Sequence, residues 1–78
     1  MNITANDAQL TNLIHNIITL RQRHGLSQRQ MAAILHISPY MLRMLEKGQI
    51  SRRLYVDFLF HLRSYFHITF NDLFYTQL

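Results

Sequence analysis

The chain has 78 residues, a net charge of +4 and no cysteine. That length holds one small domain, the missing cysteines exclude disulfides and thiolate metal sites, and no apolar run approaches the roughly 20 residues that span a bilayer. The positive charge is concentrated: Arg21, Arg23, Arg29, Arg43, Lys47, Arg52 and Arg53 share the central block with one acid, Glu46, while Asp7, Asp57 and Asp72 lie outside it. Such a block suits a polyanion, either nucleic acid or an anionic membrane face, and equally describes a solvated basic surface. No basic and apolar leader stands at the start of the chain, so the expected setting is the reducing cytoplasm.

In chain order, Leu10, Leu13, Ile14, Ile17 and Leu20 recur at spacings of three and four and predict an amphipathic helix from Asp7 to His24. Gly25 stands where a left-handed residue ends a helix, and Ser27 with Gln30 forms a capping box for a second helix, Gln28 to Leu35. After His36 and Ile37, Ser38 is the next cap, and Pro39 occupies the first helical position, where its missing N–H costs nothing. This third helix is expected to end at Gly48. Ser51 is the expected cap of a fourth helix with the stripe Tyr55, Phe58, Leu59, Leu62 and Phe66, and Thr69 with Asp72 opens a short fifth helix containing Leu73 and Phe74. Five helices, no strand and no internal linker follow, a single domain over residues 1–78.

Two short helices joined by about three residues, the second capped by Ser and opened by Pro, describe a helix-turn-helix at about residues 27–47. The stretch LRQRHGLSQRQMAAILHISPYMLRMLEKG, Leu20 to Gly48, resembles the XRE-like proteins, the phage repressor and Cro family. The matching positions are Arg21, then Gly25, Leu26, Ser27 and Gln28, then Met31 with Ala32, and finally Glu46, Lys47 and Gly48; HITFNDLF, with Leu73, extends the likeness. The resemblance implies an all-α, five-helix repressor-like bundle that binds double-stranded DNA, as a bacterial or phage transcriptional regulator of the cytoplasm. It also implies that the third helix, about residues 39–47, enters the major groove.

Residue by residue, the resemblance places Gln28 on a phosphate at the N-terminus of the second helix and Lys47 on the DNA backbone. It makes Arg21 and Glu46 an internal salt bridge. Arg52 and Arg53 are further phosphate candidates, with solvated surface as the plainer reading. Base edges would be met by Ser38, Pro39, Tyr40, Met41, Arg43 and Met44, with Leu42 and Leu45 turned into the core. Of these, Arg43 suits a bidentate contact to guanine, while Pro39, Met41 and Met44 offer apolar contact only. The family usually has Gln, Ser, Asn and Thr there. That departure motivates a second reading, in which Tyr40, Met41 and Met44 dock a regulatory protein partner.

Val56 and Phe60, together with Phe74, Tyr75 and Leu78, add apolar surface beyond the helical stripes, and a homodimer is expected; the alternative is that the fifth helix covers this surface within one chain. His67 stands where the family often has glycine, a costly choice unless that turn avoids positive φ. No enzymatic constellation, cofactor site or metal site emerges: the five histidines show no i, i+4 pair, and acids are sparse. With no sensor domain after Leu78, control is expected from protein level, a partner or a longer parent chain.

Overall fold

In a computed structural model of the chain, the structure describes residues 8–50, 54 and 56–78. Among them all regular structure is helical: α1 Ala8–Arg23, α2 Gln28–Leu35, α3 Pro39–Glu46, α4 Asp57–Phe66 and α5 Phe70–Tyr75. The apolar stripes meet in one core. α1 contributes Leu13, Ile17 and Leu20, α2 Met31, Ala32 and Leu35, α3 Leu42 and Leu45, α4 Phe58 and Leu62, and α5 Leu73. Each fully buried Leu or Ile of this set contributes roughly 1.5–3 kcal/mol relative to exposure, which is how so short a chain sustains a fold. α1 packs against α3 and α5, and α2 against α3 and α4, so α3 is held from behind with its other side outward.

Four of the helices end by the same device. A left-handed residue turns the backbone so that the next N–H returns to a carbonyl of the last turn, Leu26 to Arg21 at 2.9 Å, Ile37 to Ala32 at 3.0 Å, Gln49 to Met44 at 2.9 Å and Ile68 to Arg63 at 3.3 Å. Glycine supplies that conformation at Gly25 (φ 64°) and Gly48 (φ 83°), where no Cβ opposes it. At the other two ends it falls to His36 (φ 59°) and His67 (φ 55°). The turn after α4 therefore does adopt positive φ with a histidine in it. The apolar residue that follows, Leu26, Ile37 or Ile68, packs on the core and holds the turn.

Helix starts follow the capping chemistry at three places. Ser27 and Gln30 form a reciprocal capping box, Ser38 Oγ accepts from Met41 N at 3.1 Å, and Thr69 Oγ1 accepts from Asp72 N at 3.0 Å. α4 differs. It begins at Asp57, behind Val56, with no side-chain cap, and Leu54 is non-helical, so the helix starts later than a cap at Ser51 implies. Ser51 and Tyr55 lie outside the described residues. Asp57 in the first turn compensates in part, since its charge opposes the positive end of the helix dipole.

One buried polar side chain breaks the apolar pattern of α1. Asn16 is fully buried, its Nδ2 donates to the carbonyls of Thr76 at 2.7 Å and Leu73 at 2.8 Å, and its Oδ1 accepts from Leu78 N at 2.9 Å. One turn earlier, Asn12 Nδ2 donates to Thr76 O at 2.9 Å. Together they satisfy carbonyls that a six-residue helix leaves open at its C-terminus, and they fasten α5 to α1.

Candidate nucleic-acid interface

α3 is an amphipathic helix with a clean division. Leu42 and Leu45 are buried, and Pro39, Tyr40, Arg43 and Lys47 are exposed. Positions 39, 43 and 47 are spaced i, i+4 and fall on one outward strip, with Tyr40 beside it at 62% exposure. Met41 and Met44 are half-buried at the flanks, and Met41 also lines a cleft of about 360 Å³ between the α2–α3 turn and α4. Ser38 is exposed, and its hydroxyl oxygen is engaged in the cap.

Behind the strip, a polar network ties three helices together. Arg21 of α1 meets Glu46 of α3 in a two-pronged pair, Nε to Oε2 at 2.8 Å and Nη2 to Oε1 at 3.1 Å, while its Nη1 donates to Leu26 O at 3.1 Å. Both side chains are largely buried, 17% and 8% exposed, so the parallel-fork geometry matters for offsetting their desolvation. Gln28, at the start of α2, donates from Nε2 to Glu46 Oε1 at 3.1 Å. Its amide is thus oriented from inside the protein while the helix N-terminus beside it presents unpaired backbone N–H groups, the usual cradle for an anion.

The structure brings Gln28, Arg43 and Lys47 to the α2–α3 unit, whereas Arg52 and Arg53 lie outside the described residues. It adds Arg29, exposed next to Gln28 in the first turn of α2, which the resemblance had not singled out; its signal was its membership of the basic block. The link from Gln28 to Glu46 was invisible to spacing arguments because the two residues are 18 positions apart. His36 and His61 form a further pair, stacked at 3.9 Å with an interplanar angle of 20°, which ties the turn before α3 to α4. Of the surface offered for self-association, Phe74 and Leu78 turn out to be partly buried against the core, leaving Val56, Phe60 and Tyr75 exposed.

Two short helices crossing behind a shared core, the second presenting an outward strip with a cation at its centre, define a helix-turn-helix protein. The helix-turn-helix family matches residues 17–70, from the middle of α1 to the first residue of α5. The chain belongs to this family, in its XRE-like form, and is in general terms a DNA-binding regulator. The family is a DNA-binding and not an enzymatic one. No curated protein and no solved structure matches the chain. No helix among the described residues is long and apolar enough to cross a membrane, and no three His, Asp or Glu side chains among them converge on a metal-sized site.

Proposed function

We propose that this protein is a cytoplasmic transcriptional regulator that binds a promoter or operator with α3 in the major groove, as a homodimer on a roughly two-fold site. The observation that carries the reading is the outward strip of α3, held rigidly from behind by Leu42, Leu45 and the Arg21–Glu46 pair. In this reading Ser38, Pro39, Tyr40, Met41, Arg43 and Met44 face base edges, and Gln28, Lys47, Arg52 and Arg53 face phosphates. Arg21 and Glu46 are structural. Arg29 joins the phosphate group because it flanks Gln28 at the same helix end. Regulation follows from occupancy, by blocking or recruiting polymerase at the site, and one domain spanning the chain performs it.

The test is a fluorescence-anisotropy titration into a labelled mixed-sequence duplex at several salt concentrations, repeated with Arg43→Ala. Phosphate contacts release counterions, so affinity is expected to fall steeply with salt. Arg43→Ala is expected to lose discrimination among sites by about tenfold while retaining most of the binding to mixed duplexes. Absence of binding at low salt would remove the DNA reading and leave the docking of a protein partner through Tyr40, Met41 and Met44. The half-burial of both methionines counts against that alternative, because it reduces the apolar surface such a partner would cover.

A further inference from the structure

Helix α3 carries little of the hydrogen-bonding equipment with which proteins read bases. Ser38 Oγ caps the helix by accepting from Met41 N, and the amide of Gln28 donates back to Glu46. In the first two turns, Arg43 is the charged side chain, exposed and central. What surrounds it is carbon: the ring of Pro39, the ring of Tyr40 and the thioether edges of Met41 and Met44.

The major-groove edges of the bases differ in one apolar feature. Thymine presents a C5 methyl group, cytosine and adenine present amino donors, and guanine presents two acceptors. An apolar side chain that reaches the C5 edge of a pyrimidine meets only a hydrogen in cytosine or uracil, and little apolar surface is buried there. Set against a methyl group, the same side chain gains contact and loses nothing. Resting on the proposal that α3 enters the major groove, we infer that the protein selects duplex sites in which a guanine, gripped by Arg43, is flanked by 5-methylpyrimidines. Tyr40 is the principal methyl contact, since its large ring is 62% exposed, and Pro39, Met41 and Met44 complete the surface. The feature recognised is the methyl group and not thymine as such, so 5-methylcytosine satisfies it too. The protein is thereby a reader of methylated pyrimidines at those positions.

The experiment begins by enriching the tightest-binding duplexes from a randomised 30-base-pair pool with the wild-type protein. The enriched duplex is then remade with each flanking thymine replaced by uracil, and separately with the thymine–adenine pair replaced by cytosine–guanine or by 5-methylcytosine–guanine. Removing a methyl is expected to weaken binding about fourfold per contact, without changing the salt dependence, because no phosphate contact is touched. The 5-methylcytosine duplex is expected to stay within about twofold of the original, while the plain cytosine duplex loses what uracil loses. Tyr40→Ala, at a site exposed enough to leave the fold intact, is expected to erase the difference between thymine and uracil at the position Tyr40 contacts and to leave it at the others. Equal binding of the thymine and uracil duplexes overturns methyl recognition while leaving DNA binding in place. Failure to enrich or bind any duplex overturns the DNA reading itself.

Discussion

At the scale of single residues, the two left-handed histidines separate a cost from its compensation. A non-glycine residue in the left-handed region is disfavoured by roughly 1–2 kcal/mol, and glycine there relieves that at the expense of about 0.5–1 kcal/mol of unfolded-chain entropy. His67 is exposed and stacks on no other ring among the described residues, so no aromatic contact opposes the relief. His67→Gly is therefore expected to stabilise the protein by about 0.5–1 kcal/mol, raising the melting temperature by about 4 °C. His36 differs because its ring stacks on His61 at 3.9 Å, an interaction of aromatic-pair magnitude, about 0.5–1.5 kcal/mol, that glycine would forfeit. His36→Gly is expected to leave the melting temperature nearly unchanged. Thermal unfolding of both variants followed by circular dichroism checks the contrast, and equal shifts would mean that the stack contributes nothing. Asn16 raises the opposite case: Asn16→Ala strips partners from buried backbone groups at 2.7 to 2.9 Å and is expected to cost about 3 kcal/mol, seen as a loss of stability in urea.

At the scale of elements, what was legible in the chain follows from how locally each feature is encoded. The bounds of α2 and the start of α3 were readable because Ser27, Gln30, Ser38 and Pro39 act on backbone groups within one turn of themselves. The start of α4 was not, because Val56 offers no side-chain cap and Leu54 is held by the core, a tertiary contact with no local mark. For the same reason the outward face of α3 could be inferred from the inward positions of Leu42 and Leu45, whereas the seat of Gln28 on Glu46 could not. Glu46 is the element-level keystone, since α1, α2 and α3 all converge on its carboxylate. Glu46→Ala leaves the Arg21 guanidinium largely buried with Leu26 O as its remaining partner, and the expected loss is about 2–3 kcal/mol, or roughly 10 °C in melting temperature. A double-mutant cycle with Arg21→Ala is expected to show coupling of more than 1 kcal/mol, and additive losses would mean the fork is incidental.

At the scale of the whole molecule, the proposed dimer is constrained by the surface that remains once the core is formed. Phe74 and Leu78 serve the fold, so of the apolar residues proposed for pairing Val56, Phe60 and Tyr75 remain, exposed at 65%, 51% and 64%. Val56 at the start of α4 and Phe60 one turn on lie at i, i+4 spacing and on one face of that end of the bundle. Phe60 also meets the Phe70 ring edge-on at 5.4 Å, which fixes its orientation without burying it. A two-fold interface of this kind is self-complementary, so a single substitution appears twice and opposes itself across the axis. Phe60→Glu is therefore expected to abolish dimerisation by like-charge repulsion while keeping the helical content, since the side chain is half exposed. Its effect on DNA should depend on the site: binding to a duplex with two half-sites about 34 Å apart is expected to fall by tenfold or more, while binding to a single half-site barely changes. Sedimentation equilibrium and paired titrations read both consequences. A variant that sediments as the parent does, with equal affinity for the two-half-site duplex, would place the dimer contact elsewhere or leave the protein to bind DNA as a monomer.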